Sequence, residues 1–197
     1  LRRLRRSSNL INLVSENTIS VNDLIQPLFI KEDLDGSEPI DSMPNISRYG
    51  LKDILEEIED VLNNGINTIA LFPVIDPDKK DENGSEAVNE NNFISTAIKN
   101  IKKEFPEIIL IADVALDPYT THGHDGVLLD GIVDNDSTLD VLVEQSLVLA
   151  NAGADIIAPS DMMDGRIKFI RETLENSNLK DTILLSYAAK YLSLIHI

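Results

Sequence analysis

Three groups of residues in this 197-residue chain have the types and spacing for chemistry. The densest is 113–126, Asp-Val-Ala-Leu-Asp-Pro-Tyr-Thr-Thr-His-Gly-His-Asp-Gly, with three carboxylates and two of the chain's three histidines. It begins at the polar end of the apolar run 108–112, which has the pattern of a buried strand. Its glycines and proline predict a structured loop rather than a helix. His122 and His124 beside Asp117 and Asp125 could ligate zinc, iron or manganese. The same side chains in a glycine-rich loop could equally hydrogen-bond their own backbone. Barrel hydrolases that hold metal through His-x-His carry it directly after a strand, whereas residues 118–121 intervene here.

The second group is 160–166, Ser-Asp-Met-Met-Asp-Gly-Arg, at the carboxyl end of the apolar run 154–159. Serine and aspartate there can cap the helix that starts near Ile167, or they can form a second wall beside Asp113, since parallel sheets place chemistry beyond strand ends. The third is Lys190, after Ser186-Tyr187-Ala188-Ala189. A lysine partly desolvated at a strand end loses its proton below the ordinary value of about 10.4. Its neutral amine can then form a Schiff base with a carbonyl. The ordinary alternative is a solvated surface lysine.

The elements that would position these groups follow an α/β rhythm. Apolar residues at helical spacing run from Leu51 to Leu62, from Phe93 to Ile101 and from Leu139 to Leu147, and Ile167 to Leu174 is also helical in pattern. Ser137 with Asp140 predicts a capping box at the start of the third helix. Strands are predicted over 66–72, 108–114, 154–159 and 182–187. Asn63-Asn64-Gly65-Ile66-Asn67-Thr68-Ile69-Ala70 echoes Asn151-Ala152-Gly153-Ala154-Asp155-Ile156-Ile157-Ala158, each a helix end, a glycine and a strand. Such alternation implies a parallel sheet, either half of a (β/α)8 barrel or a small doubly wound sheet. No glycine-rich phosphate loop opens any helix. The run 24–30 is demoted to an edge strand or extended chain by Pro27.

The net charge of −17 argues against a nucleic-acid surface. Without cysteine there is no disulfide framework, no thiolate metal site and no thiol nucleophile, and a reducing cytoplasm fits. Arg2, Arg3, Arg5 and Arg6 precede the first acid, Glu16. They suggest a basic arm for the acidic body of a neighbouring subunit, or a disordered tail.

Together these clusters resemble the porphobilinogen synthase (5-aminolevulinate dehydratase) family. The likeness is carried by 24–29, Ser42-Met43-Pro44, Leu71-Phe72-Pro73-Val74, Gly84-Ser85-Glu86-Ala87, 113–126, 158–166 and 186–191, in the family's order. The resemblance implies a (β/α)8 TIM barrel of which this chain holds about the first half, with an N-terminal extended arm embracing a neighbour in a cytoplasmic homo-oligomer, usually an octamer. Residues 1–35 are expected to be the arm, 36–191 the partial barrel, and 192–197 an artefactual tail that departs from the family's sequence.

The implied reaction condenses two 5-aminolevulinate molecules to porphobilinogen with loss of two waters, in tetrapyrrole synthesis. Lys190 matches one of two Schiff-base lysines, and Asp113, Ser160 and Asp161 match polar positions that bind substrate. The second lysine, the lid arginines and a regulatory magnesium glutamate would fall beyond residue 197, so the chain alone is expected to be inactive. Zinc-type members carry three cysteines where Ala115, Asp117 and Asp125 stand here. Hard carboxylates favour magnesium, so the expected ion is Mg2+ and not zinc, with Asp117 and Asp125 as candidate ligands. The rival readings are a non-catalytic fragment that keeps only assembly surfaces, and a His-x-His metal hydrolase.

Overall fold

The structure, a computed structural model, describes residues 2–187. Lys190 and the expected tail at 192–197 lie outside the described residues. None of residues 2–25 is buried. Their start forms a 3-10 turn, Arg2–Arg5, then a short helix α1 (Ser8–Leu13), whose first turn is capped by the Ser7 hydroxyl accepting from the Leu10 amide at 3.4 Å. The expected extended arm therefore carries helix. The sheet already starts at Gln26, inside the segment 1–35 assigned above to the arm.

Strand β1 (Gln26–Lys31) leads through β2 (Ser37–Pro39) and β3 (Ser47–Tyr49) into α2 (Asp53–Asn63). β4 (Thr68–Val74), α3 (Phe93–Glu104) and β5 (Ile109–Val114) follow. A small hairpin, β6 (Leu128–Leu129) with β7 (Ile132–Val133), precedes α4 (Asn135–Ala152), β8 (Ile156–Pro159), α5 (Arg166–Asn176) and β9 (Ile183–Leu184). The main sheet has the order β2-β3-β1-β4-β5-β8-β9. From β1 to β9 each strand pairs in parallel with the next in that order. A doubly wound sheet carries helices on both of its faces. Here buried apolar residues of α2, α3, α4 and α5 all join one core on one face of the sheet, so it is the wall of a (β/α)8 barrel, about half of one.

Two local expectations are corrected. Pro27 does not put β1 at an edge, because β1 lies between β3 and β4. The proline is tolerated because β3 pairs only at Phe29 and Ile30, leaving the Pro27 level with a neighbour on the β4 side alone. The cap of α4 is Asp134 rather than Ser137: its carboxylate accepts from the Ser137 amide at 2.8 Å. The helix still stops where expected, at Gly153 with φ +113°.

Strand alternation sorts side chains between two faces. Leu28, Ile30, Ile69, Leu71, Leu110, Ala112, Val114 and Ile157 point into the main core, where they meet Ile54 and Ile58 of α2, Ile94, Ile98 and Ile101 of α3 and Leu142 and Leu149 of α4. Fully burying each such aliphatic side chain is worth about 1.5–3 kcal/mol. The other face carries Ala70, Ile111 and Ala158 with Phe72 and Ile156, and the Phe29 and Phe72 rings stack there at 5.5 Å. Ala70 and Ala158 are the small residues of this inner face.

The amino-terminal ends of the strands are tied by one lysine. Lys102 of α3 donates to the carbonyls of Pro106 and Ile108 at 3.1 and 2.9 Å and pairs with Asp155, which itself accepts from the Leu110 amide at 2.8 Å. Lys102→Met is expected to lower stability by about 1–3 kcal/mol, because it strands acceptors that it had satisfied. Denaturant midpoints check this.

Candidate active site

Asp113 is the fifth residue of β5. It shares the parity of Ile111 and so projects onto the inner face, where its registered partner on β8 is the small Ala158. Two residues further along β8 the same parity brings up Ser160, whose hydroxyl donates to Asp113 Oδ2 at 3.0 Å. From the chain after β9, the Tyr187 hydroxyl donates to Asp113 Oδ1 at 3.4 Å. Three successive strands thus deliver one carboxylate and two hydroxyls to a single point at their carboxyl ends. Burial and the charge of Asp113 push the Tyr187 phenol up to about 12, so it is a protonated donor at neutral pH.

Asp161 follows Ser160 but turns inward, its side chain fully excluded from solvent. Oδ1 accepts from the Met163 amide at 2.7 Å, and Oδ2 lies 3.2 Å from Arg166 Nε. That second contact is off the hydrogen-bonding direction, and neither atom has a hydrogen bond among the described residues. It is a charge contact only. Arg166 also donates from Nη1 to the Met163 carbonyl at 2.8 Å, closing the loop on itself. Burial pushes the Asp161 carboxyl up to about 6, against the Met163 amide and Arg166, which favour the ionised form.

The loop after β5 is held by its own polar groups. Asp125 Oδ1 accepts from the Leu116 amide at 2.8 Å, and Thr120 donates to the His124 carbonyl at 2.9 Å. His122 Nδ1 accepts from the His124 amide at 3.1 Å, which fixes the proton on Nε2, and that nitrogen donates to the Glu82 carbonyl at 3.0 Å. Both ring nitrogens of His122 are thus engaged by backbone, which is the loop-ordering use of the pair. Gln145 of α4 reaches the Ala115 carbonyl at 3.2 Å. The segment before α3 joins in through Asp81, whose amide donates to Tyr119 and whose carbonyl accepts from Thr121. Gly126 is pinned as well, since a Cβ there would stand 2.5 Å from Val133 Cγ1.

Asp117 is exposed on this loop. Ala115 offers no donor, Asp125 spends one oxygen on the Leu116 amide, and no group of three or more His, Asp or Glu among the described residues is arranged to hold a metal. A concavity of about 410 Å3 lies at the opposite end of the strands, lined by Ile109, Asp155, Ile156 and Ile183 among others, and holds none of the site residues.

Sequence reasoning picked out Asp113, Ser160 and Asp161, and the structure brings the first two together. It missed Tyr187 as a partner of Asp113, and it missed Gln145, Asp81 and Glu82 as supports of the loop. A glutamine buried on a helix face is a legible signal; the other contacts depend on tertiary structure.

The family model described as delta-aminolevulinic acid dehydratase matches residues 1–196. The chain belongs to the delta-aminolevulinic acid dehydratase family. A relative of that name from Bradyrhizobium diazoefficiens is 50% identical over 98% of this chain and 54% of its own length. One from Chlamydia pneumoniae is 43% identical over 99% of this chain and 59% of its own length. The chain thus spans little more than half the length of these dehydratase relatives. The crystal structure of the dehydratase from Toxoplasma gondii ME49, in complex with the reaction product porphobilinogen, matches with a TM-score of 0.93 and 42% identity, over 98% of this chain and 55% of that one.

The buried Asp161 gives a pH signature. Its folded value of about 6 exceeds the ordinary 3.8, so the folded state binds the proton more tightly than the unfolded one. The Asp161 contribution to stability is then largest at low pH and falls as pH rises from about 4 to about 6. Asp161→Asn removes that decline. The stability of the variant relative to the original is expected to climb across this window by roughly 2–3 kcal/mol, read from denaturant midpoints. A constant difference would contradict the assignment.

Proposed function

We propose that the whole protein to which this chain belongs is a porphobilinogen synthase, condensing two molecules of 5-aminolevulinate to porphobilinogen with release of two waters. The observation that carries this is the Asp113–Ser160 pair at the carboxyl ends of β5 and β8, in a chain that belongs to the dehydratase family. The product bound to the Toxoplasma relative supports the same reaction class.

In this reading the Lys190 amine adds to the substrate ketone and, with loss of water, forms an imine. Protonated, the imine draws electrons and eases removal of a neighbouring carbon-bound proton. Asp113 supplies a fixed negative charge for the substrate ammonium and an acceptor for protons in transit, and Ser160 holds it in place. Asp161 acts one layer back, shaping the turn that carries Ser160. Tyr187, three residues before Lys190, reaches Asp113, which supports a shared site for the lysine and the carboxylate.

Magnesium rather than zinc is the ion proposed for the whole protein, held outside this chain. The cysteine-free loop supports this, and no step of the mechanism above runs through a metal. A cytoplasmic homo-oligomer, an octamer by family resemblance, completes the proposal. The unburied residues 2–25, with Ile11, Leu13 and Ile19 exposed, support an arm available to a neighbour. No helix among the described residues is long and apolar enough to cross a membrane.

The test is borohydride reduction of the full-length protein with labelled 5-aminolevulinate, followed by peptide mapping. Label is expected on the peptide containing Lys190. Lys190→Arg, which stays charged and cannot form the imine, should lose that label and at least roughly a thousandfold in kcat. Undiminished porphobilinogen formation by the variant would refute the mechanism.

A further inference from the structure

We propose that Tyr187 is a positioning residue of this site, whose phenol fixes the plane of the Asp113 carboxylate jointly with Ser160. The inference rests on the porphobilinogen synthase reading. The two hydroxyls fall on different oxygens, Ser160 on Oδ2 at 3.0 Å and Tyr187 on Oδ1 at 3.4 Å. They also arrive from different strands, β8 and the segment after β9. The terminal torsion of an aspartate is broad and roughly two-fold, so a carboxylate held through one oxygen still swings. Held through both, it cannot turn without losing a hydrogen bond. A carboxylate has about four acceptor positions, so two hydroxyl donors orient it without exhausting it.

The phenol is suited to this task and not to that of a base. Burial and Asp113 push it up to about 12, so it only donates at neutral pH. Its bond is long for O–H···O, as catalytic hydrogen bonds often are before substrate binds and tightens them. Tyr187 is 38% exposed, and its ring can also border the space in front of Asp113. The hydroxyl and the ring therefore have separable roles.

The test uses the full-length protein with Tyr187→Phe, which keeps the ring, and Tyr187→Ala, which does not. Tyr187→Phe is expected to lower kcat roughly tenfold to a hundredfold, the range for losing a hydrogen bond to a charged group, with KM and melting temperature little changed. Tyr187→Ala should add a rise in KM. Combining Tyr187→Phe with Ser160→Ala should cost less than the product of the single effects, because the first loss already lets the carboxylate swing. Wild-type kcat in Tyr187→Phe, with loss only in Tyr187→Ala, would overturn the proposal and leave the residue a wall. A double variant that merely multiplies the single effects would also overturn it. Asp113→Asn separates the two levels. If it is inactive while Tyr187→Phe is normal, the role of Tyr187 fails alone; if it is fully active, the reading of the site fails.

Discussion

The hydrogen bond from Ser160 to Asp113 depends on one constraint, the parallel register of β5 and β8. That register sets Asp113 opposite Ala158, and the two-residue period of a strand then puts Ser160 on the same face, one step nearer the rim. A slip of one residue would turn Asp113 into the core occupied by Ala112 and Val114, where an ionised carboxylate without partners is not tolerated. Burial of the apolar set and exposure of the functional set are therefore one choice. Keeping Leu110, Ala112 and Val114 among the helices keeps Asp113 on the inner face.

The two ends of the sheet divide the labour. At the amino-terminal end, Lys102 and Asp155 consume backbone groups and fasten α3, β5 and β8. At the carboxyl end, the polar groups are spent on shaping loops. Asp125 holds Leu116, Asp161 holds Met163, and His122 links its own loop to Glu82. The chain has many carboxylates and hydroxyls in these loops, yet most act on backbone. The Asp113, Ser160 and Tyr187 groups stand apart because they come from strand ends, meet one another side chain to side chain and face the inner side of the sheet.

Much of this was legible in the sequence for simple physical reasons. Apolar runs ending in Asp113 and Ser160 mark strand ends, and the helices that separate them mark crossovers, so the two residues could be placed at one end of a parallel sheet. The choice between barrel and doubly wound sheet was not legible in the periodicity, because the face each helix covers is a tertiary property; the gathering of α2 to α5 on one face decided it. Pro27 misled because the edge rule assumes a strand paired on both sides along its length, whereas β3 is too short to reach it. The α4 start misled because Asp134 lies outside the apolar periodicity that marked the helix. The β6–β7 hairpin went unread, although its turn residues Asp130 and Gly131, both with positive φ, are of the type that closes such hairpins. The Tyr187–Asp113 contact joins residues 74 apart in sequence, and no local pattern encodes it.

The most direct measurement of where the chemistry sits is a crystal structure of the full-length protein with 5-aminolevulinate. The expected result is ligand on the inner face, its ammonium within hydrogen-bonding distance of Asp113, with the Ser160–Asp113 bond retained. Ligand seated instead at the opposite end of the strands, against Asp155 and Ile183, with the surroundings of Asp113 unchanged, would contradict it.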